Sequence, residues 1–196
     1  MMSTDPRDDA SALAGHSSLT PHRTPPAGVP GRRAFADVVA ANAQYAQHFT
    51  GMNLGGRAAR GLAVITCMDS RIDPLGVLGM KPGDAKILRN AGARVTDDVL
   101  RTLVLACYLL EVNRVLVMPH TRCAMIGREE AEIHAQIASK YGVDTRGFEF
   151  RTSSDVTSTL RADVQRIRSF PLLPARLPVA GAVYNVDTGA LKLIDD

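Results

Sequence analysis

The sequence contains no tryptophan and only three cysteines in 196 residues. Cys67, Cys107 and Cys123 are too few and too scattered for the disulfide framework of a small secreted domain. A reduced, cytoplasmic setting is therefore expected, and there a cysteine serves as ligand, nucleophile or core filler. No apolar run approaches the roughly 20 residues that span a bilayer, which argues against a membrane anchor. Runs of lysine and arginine are also missing, and a net charge of +3 is too small a bias for a nucleic-acid footprint. The G-x-G-x-x-G fingerprint of a dinucleotide site does not occur, and no internal repeat is visible.

What is present suits one domain with a real core: 45% of residues are hydrophobic and 22% charged. Residues 1–33 are rich in Pro, Gly, Ser and Thr and poor in large apolar side chains, so a disordered tail is expected there and a single domain over 34–196. "GRRAF" resembles a twin-arginine export signal, but Asp37, Asn42 and Gln44 break the apolar core such a signal needs. The same segment puts Phe35, Val38, Val39, Ala46 and Phe49 on one stripe, which predicts an amphipathic helix.

From Leu62 onward short apolar runs alternate with helical patterns. Strands are predicted at "GLAVITC" (61–67), "AKILRN" (85–90) and "RVLVMPH" (114–120), with two more in "VAGAVYNVDTGALKLI" joined at Asp187–Gly189. The helix in "VTDDVLRTLVLACYLL" is expected to be capped by Thr96 and largely buried, because apolar residues wrap most of it. "REEAEIHAQIASKYG" reads as a helix closed by Gly142, and "SSDVTSTLRADVQRIRSFP" as one capped by Ser153 or Ser154. Strands interleaved with helices predict an α/β fold, a mostly parallel central sheet flanked by helices.

The chemistry concentrates at two strand ends. "VITCMDSRIDP" leaves the first strand through Cys67, Asp69 and Arg71, which share one side if the segment stays extended. "PHTRCAM" places His120 and Cys123 just beyond the third strand. If those strands are neighbours, two thiols and an imidazole meet at the C-terminal edge of the sheet, where α/β folds build sites. Two thiolates and a His are good zinc ligands, and three protein ligands leave a fourth tetrahedral position open. Cys107 falls mid-helix and is read as core packing, as are Met68 and Met80. His134 is read as a surface residue, and His16, His22 and His48 receive no role.

With "CMDSR" (67–71), "LRNAGARV" (88–95) and "HTRC" (120–123) in this order, the sequence resembles the beta-class carbonic anhydrases over roughly residues 34–196. The resemblance implies that family's fold, zinc held by Cys67, His120 and Cys123, and a functional Asp69–Arg71 dyad. It further implies reversible hydration of carbon dioxide to bicarbonate by a zinc-bound hydroxide that the dyad orients. It also implies a homodimer or dimer of dimers, with the leading helix packed on the partner. Gly92 is expected to permit a tight loop beside the metal and to line the substrate pocket. Near relatives often carry an acidic residue and a glycine around the second cysteine, where this chain has Arg122 and Ala124. Relatives with the same site also hydrolyse carbonyl sulfide or carbon disulfide, and a non-catalytic zinc protein is the reading from another class.

Two thiolates and a neutral imidazole leave zinc with no net formal charge, so it should acidify water less than a zinc held by three His. A carboxylate that orients the attacking oxygen then has value. Arg71 can bind Asp69 in a fork, keeping it ionised and turned from the metal. With Asp69 as a fourth ligand the site would be closed. Some closed forms in the family are held shut by bicarbonate in a pocket that includes a Trp. This chain has none, so an open site is expected near pH 8.

Overall fold

Residues 31–51 and 53–195 are described by the structure, a computed structural model, and the chain divides into two units, residues 1–50 and 51–196. The sequence reading, with one domain over 34–196, does not make that division. Most of the expected tail over 1–33 lies outside the described residues. Its last three residues, Gly31 to Arg33, instead enter a helical turn, α1 (Gly31–Ala34), as helix-forming Arg and Ala allow. The amphipathic helix follows as α2 (Ala36–Gln47), and none of its residues is buried. Phe35, Val38, Val39, Tyr45 and Phe49 all stand exposed.

In the second unit, Leu62–Cys67 is rich in β-branched residues and forms β1, buried along its whole length. That burial is the signature of a strand covered on both faces. β1 lies between β2 (Ala85–Asn90) and β3 (Arg114–Met118), parallel to both. β4 (Val179–Tyr184) continues the parallel sheet beside β3, and β5 (Leu191–Leu193) closes it antiparallel, giving the order β2-β1-β3-β4-β5. The short α3 (Pro74–Val77) starts with a proline at its first position, where a missing N–H costs nothing.

The two faces of the sheet differ. Ala63, Ile65, Val115, Val117 and Val179 pack with α4 (Asp97–Leu109) and α6 (Val156–Arg168) through Leu103, Leu160, Val164 and Ile167. Leu62, Val64 and Met118 point the other way and join Cys67, Ile72 and Cys123 in a smaller cluster, with Met80 at its edge. The metal-ligand candidates thus grow out of this second face.

Thr96 caps α4 as expected, accepting a hydrogen bond from Val99 N–H at 3.4 Å. The helix is not largely buried, however. It sinks Val99, Leu100, Leu103 and Ala106 into the core and leaves Leu105, Tyr108 and Leu109 exposed. One sheet face can cover only one side of a helix, whatever the helix carries on the other. α5 (Glu130–Tyr141) closes at Gly142, which takes the left-handed φ of 67° that suits glycine. α6 is capped by Asp155 rather than Ser153 or Ser154. The Asp155 carboxylate accepts from Ser158 N–H at 2.6 Å, while the Ser153 hydroxyl is spent on Asp155 O.

Candidate metal centre

Parallel pairing of Thr66 with Met118 brings the C-terminal ends of β1 and β3 side by side. Cys67 is the last residue of β1, and His120 and Cys123 follow β3 within five residues. The two sulfurs lie 3.9 Å apart, and the ligand atoms of Cys67, His120 and Cys123 are all within 4.8 Å of one another. All three residues are buried, His120 to 1% exposure.

The imidazole is oriented by its backbone. His120 Nδ1 lies 2.8 Å from Thr121 O, and a carbonyl only accepts, so Nδ1 carries a proton and, in the neutral ring, Nε2 keeps the lone pair. That Nε2 is buried and has no hydrogen-bond partner among the described residues. An unsatisfied buried acceptor costs about 1–3 kcal/mol, and so calls for a ligand.

The thiols point the same way. Cys67 is held well below the ordinary thiol range, chiefly by the hydrogen bond from Cys123 and by the N–H groups of Asp69 and Gly92, against the opposing effect of burial. Cys123 is pushed up, by that shared hydrogen bond with Cys67 and by burial. Two thiols this close share one proton; a soft dication at the same spot would let both ionise. Two sulfurs and an unprotonated imidazole nitrogen are a donor set that fits zinc.

Gly92 sits at φ 77° and Ala93 at φ 57°, two successive left-handed residues, and the Gly92 N–H faces the Cys67 sulfur. A Cβ at Gly92 would come within 3.3 Å of the Met125 side chain, so the position has little room for anything larger.

Asp69 and Arg71 meet, though not through an extended segment. β1 ends at Cys67 and the chain turns, with Ile72 N–H donating to Asp69 O at 3.1 Å. Arg71 folds back over the turn. Its Nε donates to Asp69 Oδ1 at 2.9 Å and its Nη2 to Oδ2 at 2.7 Å, with its own N–H on Oδ1 at 2.9 Å. These bonds hold the Asp69 carboxyl well below the usual carboxylate range against burial. Asp69 Oδ2 lies 3.7 Å from His120 Nε2, so the carboxylate stands at the edge of the ligand cluster. Its pairing with Arg71 is the arrangement the sequence reading associates with an open site.

Other expected residues fall elsewhere. Met68 is exposed rather than in the core, because the turn after Cys67 lifts it off the sheet while its N–H stays bonded to Asn90 O. Cys107 is half-buried against the main core. His134 is half-buried, bonded to Thr145 Oγ1 at 2.8 Å and stacked near Phe150. His48 is exposed, and His16 and His22 lie outside the described residues. Sequence reasoning missed the polar supports of the site. Arg94 pairs with the buried Asp163 at 2.7 Å, and the Asn90 side chain brackets Arg94 N and O, so the Gly92 loop is tied at both ends. Arg89 binds the backbone of the Cys67–Ile72 turn. The visible signal was two arginines in "LRNAGAR", charged residues flanking a loop between apolar elements.

The family "Carbonic anhydrase" matches this chain over residues 62–191. Beta-carbonic anhydrase 1 of Mycobacterium tuberculosis is 32% identical over 156 residues, covering 80% of this chain and 94% of that protein. A carbon disulfide hydrolase of Acidithiobacillus thiooxidans is 29% identical over 154 residues, covering 68% of this chain and 76% of that protein. Among solved structures, the carbonic anhydrase of Streptococcus mutans superposes with a TM-score of 0.77 at 35% identity, covering 85% of this chain and 99% of that one. With a matching family over most of the chain and the same parallel α/β architecture in its solved relatives, the protein belongs to the beta-class carbonic anhydrase family.

Proposed function

We propose that this protein hydrates carbon dioxide reversibly to bicarbonate and a proton, with zinc held by Cys67, His120 and Cys123. The observation that carries the reading is the buried, unpartnered His120 Nε2, set between two thiols and 3.7 Å from a carboxylate that Arg71 keeps ionised. A zinc ion held there would supply Lewis acidity toward a water. Cys67 and Cys123 hold the charge, His120 offers one neutral nitrogen, and burial keeps other donors out. Asp69 accepts a hydrogen bond from the attacking water and so aims its lone pair at the carbon. Arg71 keeps that carboxylate ionised and turned from the ligands. Gly92 lines the substrate pocket beside Cys67 through its backbone, its missing side chain being what lets Met125 pack close.

Hydrolysis of carbon disulfide or carbonyl sulfide is the second reading, supported by the similarity to carbon disulfide hydrolases. A purely structural zinc site needs no Asp–Arg fork at its edge, which weighs against a non-catalytic protein. Assaying the purified, zinc-loaded protein with all three substrates tests the assignment. Carbon dioxide is expected to be turned over fastest by at least tenfold. Preference for a sulfur substrate would transfer the reading to the hydrolases, and inactivity on all three would end it.

The working unit is proposed to be a homodimer or a dimer of dimers, in the cytoplasm, with no nucleic-acid or membrane partner. No helix among the described residues is long and apolar enough to cross a membrane. The exposed Val38, Val39 and Tyr45 on the 12-residue helix, with Phe35 and Phe49 exposed just beyond its two ends, support a partner-covered helix, since so many uncovered large side chains on one short segment are costly in water. Removing residues 1–33 is expected to leave the oligomer and its activity intact. Removing residues through 50 is expected to abolish one or both. Light scattering that finds a soluble, active monomer after the longer deletion would refute the interface.

A further inference from the structure

One guanidinium binds the whole segment on which the proposed dyad rides. Arg89 lies in β2, paired in register with Thr66 of β1, one residue short of the site. Its Nε donates to Cys67 O at 2.9 Å, its Nη2 to Asp69 O at 2.6 Å and its Nη1 to Ile72 O at 3.2 Å. Three nitrogens thus reach three carbonyls. Those carbonyls belong to a candidate ligand, to the candidate orienting carboxylate, and to the residue that closes the turn around Arg71. No carboxylate lies within 4.0 Å of the Arg89 side chain among the described residues, so its charge acts on these carbonyl dipoles.

We propose that Arg89 is a positioning residue for the Asp69–Arg71 dyad, acting through the backbone of the Cys67–Ile72 turn. The inference rests on the carbonic anhydrase reading of that site. No bond joins Arg89 to the Asp69 carboxylate, to the Arg71 side chain or to a sulfur, so it touches none of the groups that would react. What it controls is where the turn places them. The Asp69 carbonyl is held on one side by Arg89 Nη2 and by Ile72 N–H, which sets the direction in which the Asp69 side chain leaves the chain. Freed from Arg89, the turn keeps the Ile72 bond and the Met68 N–H bond to Asn90 O of β2 but loses its three side-chain ties to that strand. A displacement on the order of 1 Å in an orienting group costs about 100-fold in rate. Lysine cannot substitute, because its ammonium is a single point and cannot span acceptors arranged around a planar fork.

The test uses the full-length protein carrying Arg89→Lys and, separately, Arg89→Ala. Supports of this kind typically contribute on the order of 10–100-fold in activity. Both variants are expected to keep a full zinc complement and to lose kcat within that range, with KM little changed. Methylguanidinium in the buffer is expected to restore part of the rate to Arg89→Ala and none to Arg89→Lys. A second readout does not depend on turnover. With cobalt in place of zinc, the ligand-field absorption bands are expected to shift in Arg89→Ala and to move back with methylguanidinium, because the groups around the open position are displaced and then returned. Wild-type kcat and unshifted bands in Arg89→Lys would overturn the proposal. Equal loss of zinc and of thermal stability in both variants, without rescue, would also overturn it, leaving Arg89 a tie for folding only. If the unmodified protein fails to hydrate carbon dioxide, the cobalt bands still decide whether Arg89 positions the turn, so the two readings fail separately.

Discussion

Cys67→Ser and Cys123→Ser are each expected to lose zinc and all measurable hydration activity. Each change removes one of three protein ligands and substitutes a hydroxyl that does not ionise near neutral pH. It also breaks the pair in which the two sulfurs share a proton at 3.9 Å. What remains is a His and one thiol, too few to hold a zinc ion against dilution. The loss should exceed the roughly 100-fold typical of changes in outer supports. Cys107→Ser is the control, since that thiol is half-buried against the opposite core and touches no ligand; it should retain the full complement. Metal analysis after gel filtration reads all three. One zinc per chain in Cys67→Ser or Cys123→Ser would sink the ligand assignment.

Asp69→Asn is expected to keep zinc and to lose activity by on the order of 100-fold or more, the range associated with a positioned acid–base group. The amide preserves shape, but its nitrogen is a donor where the carboxylate accepts. It cannot receive both the Arg71 fork and the hydrogen bond of an attacking water. Arg71→Ala should bring a comparable loss by a different route. Three bonds now draw the carboxylate toward Arg71, and without the two side-chain bonds Asp69 is free to turn toward the ligand cluster, 3.7 Å from His120 Nε2. Zinc should stay bound in Arg71→Ala, since no ligand has changed. Stopped-flow hydration assays on zinc-loaded variants separate these outcomes, and wild-type turnover by Asp69→Asn would remove the dyad from the mechanism.

How far the residues alone carry the reading differs from element to element. β1 and β3 were legible because a short run rich in β-branched and apolar residues, bounded by turn residues, reads as a buried strand, and for the half-buried β2 the predicted bounds at 85–90 hold to the residue. The Thr96 cap and the Gly142 stop were legible for the same local reason: each depends only on a few neighbouring backbone groups. Asp155 was missed as the cap of α6 because three adjacent residues can all cap, and only the folded loop shows that Ser153 is engaged elsewhere. The half-exposed face of α4 was missed because apolar content states what a helix can bury and not what is there to bury it.

At the site, the sequence by itself determined the identity and spacing of the donors: a Cys at one strand end, a His and a Cys just past another, and an Asp–Arg pair beside the first. It also determined the family, through motifs whose order is specific. Only the tertiary structure decided that β1 and β3 are neighbours, which turns those separate donors into a cluster within 4.8 Å. It decided that Asp69 and Arg71 meet around a turn and not along a strand, and that Thr121 O leaves His120 Nε2 as the free nitrogen. It alone revealed Arg89 and the Arg94–Asp163 pair as supports. For the sheet and its supports the physical reason is range. Strand, cap and motif spacing are set by contacts within a few residues, whereas hydrogen bonds spanning 17 to 69 positions depend on how the sheet is assembled.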